Sequence, residues 1–294
     1  MNVIKSQWMG MCLGVREAIK RLETLDNPER VTVYGELVHN TQVLKWISDR
    51  GISIIAESER PAVPETDEVL ITAHGISNRE KEWLFGNGKK LIDTTCPLVY
   101  RVHKAAESLQ NSGHTVIVIG KAGHVEVEGV IGDLDDYVVV GSIAEVRNYG
   151  KEKLGIVCQS TMAVVTAEEI VCEIRNRNVG AEVIFVDTIC KPTKDRQLAL
   201  VSLVDKVEAL VVVGGLNSNN TKQLARYAHE AGKSCFHVEK AEDIDPDWFY
   251  GVQDVGLTAG TSTLDSTIDE VYEKLVSISN KMVYSNREEV LIDV

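Results

Sequence analysis

A chain of 294 residues is long enough to bury a substantial core and, at ordinary domain sizes, to make two or three domains. With 44% hydrophobic residues, 26% charged and only 6 Pro, it is neither a disordered nor a fibrous chain, and a formal net charge of −13 argues against broad binding to nucleic acid or an anionic membrane face, which need a basic surface. No apolar run reaches transmembrane length, and Met1-Asn2-Val3-Ile4-Lys5 opens no signal peptide, so the expected location is the cytoplasm, with no membrane partner. A net negative charge leaves room for a small anionic ligand, because a local group of His, Ser, Asn and backbone N–H donors can hold a phosphate.

In chain order, short β-branched runs alternate with segments of helical period. The strand candidates are Val31–Tyr34, Val69–Thr72, Val116–Ile119, Ile156–Val157, Val183–Val186, Leu210–Val213 and Val255–Thr258. Between them, Val15, Ile19 and Leu22, and again Val99, Val102, Ala106 and Leu109, fall on single helix faces. The class is α/β with mostly parallel sheets. The stretch after Ser279 is less patterned and reads as a tail that caps or wraps the body.

Six cysteines stand at 12, 96, 158, 172, 190 and 235, with no CxxC pair among them. In a reducing compartment this composition points to metal binding or catalysis rather than disulfides. Asp93-Thr94-Thr95-Cys96 and Asp187-Thr188-Ile189-Cys190 each follow an apolar run and precede a helical segment, and Met9-Gly10-Met11-Cys12 has the same setting near the start. One cysteine per domain-sized stretch suggests three similar α/β units; the bland alternative is coincidence among core cysteines. Pro97 suits the first turn of a helix, whose positive end would favour the Cys96 thiolate. Three thiolates from separate segments leave a fourth position open, the pattern of an iron-sulfur site that does substrate chemistry. Cys158, Cys172 and Cys235 lie in apolar patterns and read as small buried hydrophobes.

A second series supplies polar loops where apolar strands end: Thr72-Ala73-His74-Gly75, Gly120-Lys121-Ala122-Gly123-His124 and Gly214-Gly215-Leu216-Asn217-Ser218. Ligands of open α/β sheets bind beyond the carboxyl ends of strands, where helix N-termini supply donors. His39, at the end of the strand-like segment Gly35–Asn40, joins His74 and His124 at such transitions. His103, His114, His229 and His237 read as structural. Glu126 and Glu128 are ordinary surface charges if their segment is a solvated turn; a buried Glu126 would instead be a proton donor with a raised pKa.

At these residues the chain resembles the 4-hydroxy-3-methylbut-2-enyl diphosphate reductase family of isoprenoid synthesis. The matching motifs are Cys12-Leu13-Gly14-Val15-Arg16, Val38-His39-Asn40, Ala73-His74-Gly75, Asp93-Thr94-Thr95-Cys96-Pro97-Leu98-Val99, Gly123-His124-Val125-Glu126-Val127-Glu128-Gly129, Asn217-Ser218 through Asn220, and Thr258-Ala259-Gly260-Thr261-Ser262, in family order over nearly the whole chain.

The resemblance implies three α/β units in a pseudo-threefold trefoil around a central 4Fe-4S cluster held by Cys12, Cys96 and Cys190. The units would span 1–96, 97–187 and 188–280, with a tail at 281–294. It places the diphosphate on His39, His74, His124, Ser218, Asn219, Asn220 and Ser262, and the catalytic roles on Glu126, His124 and Ser160, the last within the relay Gln159-Ser160-Thr161. The implied reaction removes an allylic hydroxyl with two electrons and two protons, ferredoxin or flavodoxin being the donor. Four positions depart from the family pattern. Met11 replaces an aromatic residue, Val125 a proline, Asn219 a serine and Ser160 a threonine. They motivate an alternative, a divergent paralogue that uses the same cluster on another small substrate. A zinc-bound or metal-free module for phosphorylated ligands is a third reading.

Overall fold

The computed structural model describes residues 1–38 and 40–292, with side chains described for all of these except Thr41, Gln42 and 282–292. In chain order the main elements are β1 (Asn2–Lys5), α1 (Leu13–Glu23), β2 (Val31–Tyr34), α2 (Thr41–Asp49), β3 (Ser53–Ile55), β4 (Glu68–Ile71), α3 (Asn78–Gly86), β5 (Lys90–Asp93), α4 (Pro97–Asn111) and β6 (Thr115–Ile119). They continue with α5 (Val125–Ile131), β7 (Tyr137–Val140), β8 (Lys153–Cys158), α6 (Val164–Arg177), β9 (Glu182–Phe185), α7 (Lys191–Val204), β10 (Ala209–Val213), α8 (Asn219–Glu230), β11 (Ser234–Val238), β12 (Asp254–Ala259) and α9 (Asp265–Ile292). The strands form three four-stranded sheets, all pairings parallel, ordered β3-β2-β4-β5, β7-β6-β8-β9 and β1-β12-β10-β11. The class is α/β, and among the described residues no helix is long and apolar enough to cross a membrane.

Chain contacts divide the protein into two compact units. The unit Leu13–Thr193 carries the first two sheets. In its second sheet, Ile117, Ile119 and Ile156 pack with Ile170 and Ile174 on one face, while Val116, Val118 and Val157 pack with Val102, Ala106 and Val130 on the other. Alternate side chains of the same strands thus enter opposite cores, which is why a parallel strand reads as an unbroken apolar run.

The other unit joins Met1–Cys12 to the chain from Lys194 onward. Val211, Val213 and Leu257 face Val271 and Leu275 of α9, and Leu210 and Val212 face Leu200 and Leu224 on the reverse side. Its fourth strand comes from the N-terminus: Asn2 to Lys5 pair in register with Asp254 to Leu257. Residues 1–12 therefore build the third sheet rather than the first unit, where the sequence reading put them. The cause is pairing: the outer edge of β12 would otherwise present unpaired N–H and C=O groups, and β1 covers them. At the other end α9 runs through Ser279 without a break, so residue 280 is not an element boundary. Gly35–Val38 after β2 forms bends rather than a strand.

Each sheet has the same plan. Its two central strands end in loops that lead directly to helices: β2, β6 and β10 to α2, α5 and α8, and β4, β8 and β12 to α3, α6 and α9.

Candidate active site

One edge strand of each sheet, β5, β9 or β1, runs into a loop that ends on a cysteine, Cys96, Cys190 or Cys12. A helix begins at the next residue in every case, α4 at Pro97, α7 at Lys191 and α1 at Leu13. The amide of each cysteine donates to a carbonyl two residues beyond the end of the neighbouring central strand. Cys96 reaches Ala73 at 3.0 Å, Cys190 reaches Ser160 at 2.9 Å, and Cys12 reaches Thr261 at 3.0 Å. Aspartates shape two of these loops in the same way: Asp93 accepts from the Thr95 N–H at 2.9 Å, and Asp187 from the Ile189 N–H at 3.1 Å.

These features suit a thiolate-bound group. The positive end of a helix stabilises the sulfur that precedes it. All three sulfurs belong to half-buried residues, and the Cys190 sulfur lies 3.1 Å from the Thr193 hydroxyl. Gly14 completes a cradle, because a Cβ there would stand 2.7 Å from the Cys96 sulfur. Among the described residues no three His, Cys, Asp or Glu form a group for a single metal ion. Of the remaining cysteines, Cys158 is buried as expected, whereas Cys172 is exposed on the outer face of α6, and burial pushes the half-buried Cys235 thiol up to about 11.

In the unit Leu13–Thr193, the structure brings His74 and His124 together, their ring centroids 5.7 Å apart at 86°. His124 caps α5, its Nδ1 accepting the Glu126 N–H at 3.1 Å, so the neutral ring carries its proton on Nε2. His39 lies outside the described residues. Glu126 is only 1% exposed. Its Oε1 accepts the Ser160 N–H at 2.5 Å and its Oε2 the Ser160 hydroxyl at 2.7 Å. Burial raises the carboxyl's pKa, and the two Ser160 bonds oppose that rise. Glu128 is the solvated one of the pair, accepting the Gly123 N–H at 3.0 Å. Ser160 therefore holds Glu126 with its N–H and hydroxyl, and Cys190 with its carbonyl. Val125 takes the first helical position of α5, where proline also fits, and is buried. A cavity of about 650 Å³, lined in part by Arg60, Ser77, Arg79 and Trp83, reaches Gly123 and Val125 on either side of His124 but, among the described residues, includes none of the expected site residues.

In the other unit, Ser218 caps α8, its hydroxyl accepting the Thr221 N–H at 3.4 Å, and Asn219 opens the helix. Asn220 is 2% exposed. Its Oδ1 accepts the Thr261 N–H at 3.1 Å, while its Nδ2 has no partner among the described residues. The chain Asn220 to Thr261 to Cys12 is thus hydrogen-bonded throughout, with buried Ser262 adjoining it. Gly260 is essential to this arrangement: a Cβ there would fall 2.1 Å from the Thr221 hydroxyl.

Two arginines that the sequence reading passed over also reach the cysteine loops. Arg101 donates to the Asp187 carbonyl at 2.9 Å, and Arg196 donates to the Gly10 carbonyl. Counting along the chain from each cysteine would have found them.

The model of the LytB protein family matches residues 3–276. The chain is 33% identical to the 4-hydroxy-3-methylbut-2-enyl diphosphate reductase of Caldanaerobacter subterraneus subsp. tengcongensis over 286 residues, covering 96% of this chain and 99% of that protein. It is also 33% identical to the enzyme of that name from Aquifex aeolicus over 292 residues, covering 97% and 99%. Two solved structures share the fold. A (E)-4-hydroxy-3-methyl-but-2-enyl diphosphate reductase, the terminal enzyme of the non-mevalonate pathway, aligns with TM-score 0.67 at 33% identity, over 94% of this chain and 100% of that one. The E-1-hydroxy-2-methyl-but-2-enyl-4-diphosphate reductase of Plasmodium falciparum aligns with TM-score 0.82 at 26% identity, over 92% and 86%. With three parallel sheets, a cysteine headed by each and near full-length similarity to these reductases, the chain is an oxidoreductase that belongs to the LytB protein family.

Proposed function

We propose that this chain reduces 4-hydroxy-3-methylbut-2-enyl diphosphate, removing the allylic hydroxyl as water with two electrons and two protons to give isopentenyl and dimethylallyl diphosphate. The names of its relatives support this substrate. The observation that carries the reading is Glu126, a fully buried carboxyl with a raised pKa, bonded to the same serine that accepts the Cys190 amide.

Cys12, Cys96 and Cys190 would hold the 4Fe-4S cluster, each sulfur at the head of a helix and each amide already satisfied by a strand-end carbonyl. When bound, the cluster supplies electrons and, having three protein ligands, Lewis acidity toward the leaving oxygen. The protein's own residues bind the substrate and manage protons. A carboxyl whose pKa is raised by burial keeps its proton to higher pH than an ordinary one and can donate it, and the Ser160 hydroxyl both orients it and can relay a proton. His124 offers Nε2–H, and Asn220 offers a buried Nδ2 donor. With His39, His74, Ser218, Asn219 and Ser262, they give the diphosphate imidazole, hydroxyl and carboxamide donors, the imidazoles neutral or protonated, and such donors are most effective where water is excluded. Ferredoxin or flavodoxin delivers the electrons.

The test is anaerobic purification with iron and sulfide determination, followed by assay on the hydroxylated diphosphate with dithionite and a viologen mediator. About four irons per chain and strictly reductant-dependent product formation are expected. Turnover without a reductant, or on a different small substrate alone, would favour the divergent paralogue. Activity in iron-free protein would overturn the proposal.

A further inference from the structure

Set side by side on their cysteines, the three ligand segments share an arginine four to six residues on: Arg16 after Cys12, Arg101 after Cys96 and Arg196 after Cys190. Two of these arginines perform the same task. From α4, headed by Cys96, Arg101 donates at 2.9 Å to the Asp187 carbonyl in the loop that ends on Cys190. From α7, headed by Cys190, Arg196 donates to the Gly10 carbonyl in the loop that ends on Cys12. The helix that one cysteine begins therefore clamps the approach to another.

Their surroundings differ. Arg101 is exposed, so water competes for its bond. Arg196 is only 5% exposed. The Gly10 that it grips has φ 77, and the Ile268 and Asp265 side chains stand 2.9 and 3.0 Å from where a Cβ would be. That loop is held from the arginine side and backed by packed atoms on another, in a backbone conformation few residues other than glycine adopt. A buried guanidinium is costly to keep unless its donors are used, and its rigid fork makes each bond directional.

We propose that Arg196 and Arg101 are positioning residues for the ligand thiolates, Arg196 for Cys12 and Arg101 for Cys190, with Arg196 the dominant one. This rests on the ligand assignment above. Each arginine sets the carbonyl that precedes its cysteine, and so fixes where the sulfur stands before any cluster is loaded.

The experiment measures iodoacetamide alkylation of each cysteine in the reduced, full-length apoprotein, read by peptide mass spectrometry. Arg196→Gln should change the Cys12 rate by about tenfold, the ratio an ordinary charged hydrogen bond commands, and leave Cys190 within about twofold. Arg101→Gln should shift Cys190 alone, by about threefold or less, as fits an exposed bond. Arg196→Lys, which keeps a charged donor, should recover most of the wild-type Cys12 rate. After reconstitution, Arg196→Gln should also alter the cluster's electron paramagnetic resonance signal and shorten its lifetime against a chelator. An unchanged Cys12 rate in Arg196→Gln overturns the proposal. So does a uniform rise at all six cysteines with loss of cooperative melting, because that is general loosening. If wild-type protein takes up no iron and sulfide, the ligand assignment fails, while the alkylation pattern still decides whether the arginines set the thiols.

Discussion

Gly14→Ala isolates the contact between α1 and the Cys96 sulfur. An alanine Cβ at this position would sit 2.7 Å from the sulfur and 3.0 Å from the Cys96 Cβ, where ordinary contact starts at 3.4 Å. Something must yield by several tenths of an ångström. The Cys96 backbone is poorly placed to do so, since its amide is bonded to Ala73 and Pro97 begins a 15-residue helix. The sulfur must rotate instead, which moves it from the position in which Cys96 is proposed to bind the cluster. Alanine gains up to about 1 kcal/mol over glycine within a helix, and overpacking costs about 1–3 kcal/mol. The apoprotein should therefore end between unchanged and about 2 kcal/mol less stable. Gly86 provides the internal control: it is also helical, with nothing within 4 Å of a Cβ, so Gly86→Ala should be neutral or stabilising. Urea melts of both apoproteins test the stability difference, and iron content after reconstitution tests the ligand displacement, with several-fold lower uptake expected only for Gly14→Ala. A Gly14→Ala protein that is stabilised as much as Gly86→Ala and binds iron as wild type does would refute the steric argument.

Glu126→Gln should keep the cluster's visible absorbance and lose about 10²- to 10⁴-fold in turnover, the usual worth of a positioned proton donor; near-normal turnover would move that role elsewhere. The same variant tests the pH dependence of stability. Because burial raises the Glu126 pKa above its ordinary 4.5, the folded protein keeps a proton that the unfolded chain has released. Its contribution is full below about pH 4.5 and is lost as pH rises through the folded value. Glu126→Gln should therefore gain stability relative to wild type between pH 5 and pH 8 in parallel urea melts, and identical slopes would contradict the burial argument. Asn220→Asp keeps the oxygen that accepts from Thr261 but replaces the buried Nδ2 donor with a negative charge. It should raise KM for the diphosphate by tenfold or more with kcat changed less, about 1.4 kcal/mol of ground-state binding. Cys96→Ser should abolish turnover and cluster absorbance, as measured by anaerobic spectroscopy and assay.

The sequence by itself determined the class, the central strands and the residue types at the strand ends. All six central strands, β2, β4, β6, β8, β10 and β12, were legible, because a strand buried on both faces leaves an unbroken apolar run. Of the edge strands only β9 was visible; β1, β3, β5, β7 and β11 were not, since an edge exposes part of its surface and tolerates residues such as Lys5, Lys90 and Ser234. The cysteines and histidines stood out because their chemistry is uncommon at the ends of apolar strands. Tertiary structure alone decided the rest. It assigned β1 to the sheet of β12, more than 200 residues distant, a choice made by backbone pairing that side-chain pattern does not encode. It chose between the surface and buried readings of Glu126 by setting Ser160 against it, and it linked Asn220 to Cys12 through Thr261. Proton affinity and donor direction depend on which groups meet in space, and neighbours along the chain say little about that.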